Sequence, residues 1–98
     1  MKLDKAIIEK IICISKEVEG INKIVLFGSR ARGDNELKSD IDIAIYADNN
    51  GAAVDFIERT ENEVPTLLEF DFSDMRKVKD ALFLKQVERD GIILYEKH

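Results

Sequence analysis

The sequence predicts an α+β fold, a small mixed β-sheet with helices packed on one face, in a single domain over residues 1–98. Three observations point to it. Leu3, Ile7, Ile11, Ile14 and Val18 recur at spacings of four and three, the stripe of an amphipathic helix. Asp40 to Tyr46 and Thr66 to Phe72 alternate apolar and polar residues at the period of a strand. Helical and strand patterns then alternate along the chain, with turn residues between them, as in a layered domain built around one sheet. With 45% apolar residues, 36% charged, five Gly and one Pro, the composition is globular rather than disordered. A chain this short buries roughly two-thirds of its unfolded surface, enough for one core.

Taken in order, the first helix is expected to stop at Gly20. Lys23 to Phe27 is a short apolar run suited to a strand buried on both faces. Gly28-Ser29 ends it, and Arg30 to Ser39 is polar, with Gly33-Asp34-Asn35 as turn chemistry. Asp40 to Tyr46 is a strand with one apolar face (Ile41, Ile43, Ile45) and Asp40, Asp42, Ala44 and Tyr46 on the other. Asp48 to Gly51 is a turn, and Ala53, Val54 and Ile57 mark a helix to about Thr60. In Thr66 to Phe72, Leu68, Phe70 and Phe72 share one face, Leu67, Glu69 and Asp71 the other. Ser73 or Asp74 is placed to cap a helix running through Val78, Ala81, Leu82, Leu84 and Val87 to Gly91, and Ile92 to Tyr95 closes the sheet. Cys13 is expected in the core, Tyr46 and Tyr95 as edge-packing aromatics, and His98 as a disordered terminus.

Composition excludes several functions. One cysteine forms no internal disulfide, and Cys13 with the lone His98 builds no zinc site. A reducing, cytoplasmic setting is expected. No apolar run has the length of a membrane span, and Lys2, Asp4 and Lys5 interrupt the start as a signal peptide. Net charge −5 argues against nucleic acid as the main partner, because that affinity comes from Lys and Arg displacing counterions.

The chemistry lies in the carboxylates. Asp40 and Asp42, at i and i+2 on one strand, project the same way with Cα atoms roughly 6.5–7 Å apart. Asp71 projects from the polar face of the later strand. If the two strands are neighbours, three carboxylates converge, repel one another and raise at least one pKa. Divalent cations relieve that repulsion. Mg²⁺ suits hard oxygen ligands and is held by few carboxylates together with substrate phosphates, and two such ions serve phosphoryl-group transfer. A phosphate holder lies upstream: Gly28 permits close approach of backbone, and Ser29 offers a hydroxyl and an N–H at a helix start. Arg30, Arg32 and Lys38 outnumber Asp34 and Glu36 there, placing cations where a triphosphate would lie.

Alone, Gly28-Ser29 could simply end a strand, Asp40 and Asp42 could line a solvated strand face, and Arg30 and Arg32 could be solvated. The combined string, Gly-Ser, ten residues, then Asp-Ile-Asp, arises about once in 500 random chains of this composition, so the combination favours a nucleotide site.

Gly28 to Asp34 (G-S-R-A-R-G-D) followed by Ser39 to Ile45 (S-D-I-D-I-A-I) resembles the minimal nucleotidyltransferases of the DNA polymerase β superfamily, with their GSX10DXD pattern. The leading helix, the later acidic strand E-F-D-F-S-D (Glu69 to Asp74) and the ending D-G-I-I-L-Y-E fall in the family's order, so the resemblance covers nearly the whole chain. It implies a polymerase β-like palm in which Gly28 and Ser29 contact nucleotide phosphates. Asp40 and Asp42 would hold Mg²⁺, and Asp71 would be a further ligand or the general base, with Glu69 two residues earlier as its alternative. It also implies transfer of a nucleoside monophosphate, commonly AMP from ATP, to a hydroxyl with loss of pyrophosphate. Single-domain members are typically antitoxins paired with all-helical HEPN toxins, some modifying a toxin tyrosine. With no acceptor domain expected in the chain, the acceptor would be a docking protein. The rival readings are a non-catalytic binding antitoxin acting by occlusion and transfer to a small molecule such as an aminoglycoside.

Overall fold

The computed structural model describes residues 3–33 and 40–97, apart from the side chain of Ser29. The Asp34-Asn35 part of the expected turn, Asp34 and Glu36, Lys38, Ser39 and the terminal His98 lie outside the described residues. Among the described residues the order is α1 (Lys5–Glu17), β1 (Ile21–Phe27), α2 (Gly28–Arg32), β2 (Ile41–Ala47), α3 (Asn50–Glu63), β3 (Phe70–Asp74), α4 (Ala81–Asp90) and β4 (Ile92–Glu96). The strands form one mixed sheet in the order β3-β2-β1-β4. β1 runs antiparallel to both β2 and β4, while β2 and β3 are parallel, joined through α3.

The three longer helices, α1, α3 and α4, each begin at a capping side chain. Asp4 accepts from Ala6 N at 2.8 Å and Asn49 from Ala52 N at 2.8 Å, satisfying donors that the first turn leaves unpaired. Asn50 and Gly51, expected in a turn, thus open α3, which runs past Thr60 to Glu63. Its buried face is Ala52, Ala53, Phe56 and Thr60, whereas Val54, expected on that stripe, is exposed. α1 ends at Glu17, with Val18 as its extended C-cap ahead of Gly20. Cys13 is exposed rather than core, because it lies about 200° around the helix from the buried Ile11.

The main core lies between the sheet and the face covered by α1 and α3, as expected. Ile24 and Leu26 of β1 and Ile41, Ile43 and Ile45 of β2 meet Ile11, Ile14 and Phe56, all at 0% exposure. Each such side chain contributes about 1.5–3 kcal/mol by burial, so this face supplies most of the stability. α4 adds partial cover to the opposite face. There Val87 and Met75 close over Val25 and Ala44, so the second side of β2 is not left open to solvent. Tyr46 sits on this face of an interior strand, under Lys23 Nζ at 4.5 Å, while Tyr95 packs from the edge strand β4 against the main core.

The bounds of β3 and the start of α4 also differ from the sequence expectation. β3 runs from Phe70 to Asp74 rather than from Thr66 to Phe72, because its ladder with β2 begins at Ile41↔Phe70 and continues to Ile45↔Asp74. Thr66 to Glu69 precede the ladder, and Leu67 is fully exposed. Ser73 and Asp74, engaged in the sheet, therefore do not cap α4. Asp80 does, accepting from Leu82 N at 2.9 Å and Phe83 N at 3.3 Å.

Candidate active site

β2 places Asp42 between two neighbours. On one side its Cα partner is Phe27, the last residue of β1; on the other it is Asp71 of β3. Parallel partners point to the same sheet face, so Asp42 and Asp71 stand side by side. Asp71 is exposed, Asp42 half-buried, and Asp40 exposed just before β2. Asp71 thus lies beside Asp42 rather than in the hydrophobic interior.

The Asp42 carboxyl is raised above its ordinary 3.8, first by burial, then by the charges of Asp71 and Asp40 and a side-chain hydrogen bond with Asp71, against a lowering by Arg32. Like charges crowded on a partly desolvated surface have this effect. Glu69 contributes nothing comparable: it lies ahead of β3, its carbonyl accepts from Ile41 N at 2.9 Å, and it borders a separate hollow with Glu61 and Thr66.

Where β1 turns into α2, Gly28 has φ +74°, and a Cβ there would collide with Asp42 Oδ2 and lie 3.1 Å from its Cγ. Only glycine brings this backbone so close to the carboxylate. Ser29 follows in α2, its side chain outside the described residues. Arg30 is buried at 5% exposure, and Arg32 is exposed. Of the expected phosphate cations Arg30 and Arg32, Arg32 is therefore the one open to solvent, and Lys38 lies outside the described residues. Its charge is felt by both Asp42 and Asp90.

Next to Gly28 opens a cavity of about 430 Å³ between α2 and α4, bordered by Phe27, Arg32, Phe83, Gln86 and Arg89. Sequence reading did not single out this α4 contribution. The signal was available, because Phe83, Gln86, Val87 and Asp90 recur at helical spacing and form one face. What it lacked was the helix's position over the sheet.

The donor set fits Mg²⁺. Asp42 and Asp71 supply hard oxygens, and their mutual repulsion is what a divalent cation would relieve. Among the described residues no group of three or more His, Cys, Asp or Glu side chains is placed to hold a metal ion. The geometry thus offers the Asp42–Asp71 pair rather than the expected three-carboxylate cluster, and Mg²⁺ is usually held by only one or two carboxylates together with substrate phosphates. Among the described residues, no helix is long and apolar enough to cross a membrane.

The family model described as "Polymerase beta, Nucleotidyltransferase" matches residues 9–98. Among curated proteins, "Putative protein adenylyltransferase MJ0604" of Methanocaldococcus jannaschii is 49% identical over 49 residues, which make up 49% of each chain. The match thus spans about half the length of that relative. Among solved structures, a toxin–antitoxin with AMP-PNP aligns at TM-score 0.72 and 26% identity, covering 93% of this chain and 74% of the other. A tri-AMPylated Shewanella oneidensis HEPN toxin in complex with MNT antitoxin aligns at TM-score 0.64 and 24% identity, over 93% and 71%. At that identity the likeness is one of fold.

Proposed function

From its membership of the polymerase beta nucleotidyltransferase family, we propose that this chain is a Mg²⁺-dependent nucleotidyltransferase. It transfers a nucleoside monophosphate, AMP from ATP, to a hydroxyl of a partner protein in the cytoplasm, as antitoxin to an all-helical HEPN toxin. The observation that carries the reading is the Asp42–Asp71 pair seated against Gly28. The protein adenylyltransferase relative and the toxin–antitoxin match with AMP-PNP support ATP as donor and a protein as acceptor.

In this reading the backbone at Gly28, with Ser29 and Arg32, takes the triphosphate, while Arg30 lies buried in α2. Asp40, Asp42 and Asp71 would hold Mg²⁺, as two ions when nucleotide is present, and the ions would supply charge neutralisation for the phosphates and the departing pyrophosphate. Asp71, the more exposed of the central pair, faces the incoming hydroxyl and takes its proton as general base. The acceptor oxygen bonds to the α-phosphorus, the bond from that phosphorus to the bridging oxygen breaks, and pyrophosphate leaves with the electron pair.

The test is transfer of label from ATP, labelled at the α-phosphate, to a HEPN polypeptide in the presence of Mg²⁺. The expected result is a partner carrying AMP, with the transfer lost in Asp42→Asn. Labelling by the variant at the parental rate would overturn the mechanism.

A further inference from the structure

We propose that the cavity between α2 and α4 receives the nucleobase of the nucleoside triphosphate, and that Gln86 makes it selective for adenine. The inference rests on the nucleotidyltransferase reading above and adds the part of the ligand that the carboxylates do not touch. The cavity and the carboxylate site share a wall, because Gly28 borders the cavity on one side and abuts Asp42 on the other. A ligand with its phosphates at Asp42 and Arg32 therefore continues directly into the cavity. At about 430 Å³ the space falls within the range of small-molecule sites, roughly 300–1,000 Å³.

Its lining suits a planar aromatic ring better than a second anion. Phe27 and Phe83 pack edge to face with centroids 5.4 Å apart, and Val87, 2% exposed, lies beside them. Such an aromatic wall takes a base by stacking. Of the two cations that line it, Arg32 lies toward the phosphates in this reading, and Arg89 is already matched by a carboxylate: its Nε donates to Asp90 Oδ1 at 3.1 Å and its Nη2 to Oδ2 at 3.0 Å. That engagement lowers its value for phosphate. It also occupies the fork that would otherwise read the two acceptors of guanine. Gln86 carries a carboxamide, which donates and accepts through one group and matches the paired acceptor and donor of adenine.

Calorimetric titration of the Mg²⁺-loaded protein with ATP, GTP and inorganic tripolyphosphate tests this, in the parent and in Gln86→Ala. Gln86 is an exposed helical residue and alanine is the best helix former, so the variant folds, which far-UV circular dichroism checks. The parent is expected to bind ATP about tenfold tighter than GTP, and tighter than tripolyphosphate. Gln86→Ala should bind ATP about tenfold more weakly, lose the ATP-over-GTP preference, and keep its tripolyphosphate affinity. An unchanged ATP-to-GTP ratio in Gln86→Ala, or tripolyphosphate binding as tight as ATP, would overturn the base assignment and leave AMP transfer standing. Absence of Mg²⁺-dependent binding by all three probes would overturn the nucleotidyltransferase reading, and this inference with it.

Discussion

Asp42 and Asp71 are direct partners across the parallel β2–β3 ladder, and Gly28 closes on Asp42 from the other side. The parallel pairing depends on α3, which returns the chain to the same end of the sheet. Two acidic strands that are distant in sequence are thereby set in register. Burial and repulsion make the site a local cost to folding, and that cost has measurable consequences.

The first consequence concerns pH. The folded protein holds the Asp42 proton more tightly than the unfolded chain does, since its pKa is raised above 3.8. Stability is therefore fully present below the ordinary carboxyl value and is lost as pH climbs through the raised one. In Asp42→Asn there is no proton to release, so this part of the loss disappears. Urea unfolding in EDTA from about pH 4 to 8 measures it. Equal losses in parent and variant would refute the crowded-carboxylate description. The same variant should lower AMP transfer at least about a hundredfold, equivalent to roughly 3 kcal/mol of transition-state stabilisation.

Nucleotide binding should depend on the metal. With Asp42 and Asp71 uncompensated, a triphosphate meets negative charge. With Mg²⁺ present the same oxygens become ligands. Titration calorimetry with ATP is expected to show binding at least about tenfold tighter in Mg²⁺ than in EDTA, a difference of roughly 1.4 kcal/mol. Identical affinities would remove the metal from the proposal, and no heat in either condition would favour a module that neutralises its partner by occlusion.

Gly28 and Gly33 allow backbone strain to be separated from close approach. Both have positive φ, +74° and +83°, but a Cβ at Gly28 meets the Asp42 carboxylate whereas one at Gly33 has nothing within 4 Å. Gly33→Ala should cost about 1 kcal/mol from the left-handed backbone alone. Gly28→Ala should cost at least about 1 kcal/mol more, because Asp42 must move, and it should also depress AMP transfer. Equal unfolding midpoints for the two variants would show that the contact is not tight.

Much of this site was legible in the sequence because its information is local. Gly28 before a polar turn, and Asp40 and Asp42 alternating with three isoleucines, announce their geometry within a few residues. Whether Asp71 or Glu69 joins them could not be read this way, since both belong to one alternating stretch. What separates the two in space is where the ladder starts, at Ile41↔Phe70, which leaves Glu69 outside the strand and pairs Asp71 with Asp42. The same long-range constraint extends β3 to Asp74 and removes that residue as a cap. The burial of Ala44 was hidden for a related reason, because only the placement of α4 brings Val87 over it.

Thr60 offers a test of the core itself. It is fully buried on α3, and its Oγ1 has no hydrogen-bond partner among the described residues. A hydroxyl buried in this way costs about 1–3 kcal/mol, and valine has nearly the same shape without the polar atom. Thr60→Val is therefore expected to stabilise the protein by about 1 kcal/mol, raising Tm by roughly 4–8 °C for a domain of this size. The substitution lies on the face opposite the carboxylates, so AMP transfer should be unchanged. A lower Tm in Thr60→Val would mean that the hydroxyl is satisfied in solution, and that the α3 face is less dry than its burial indicates.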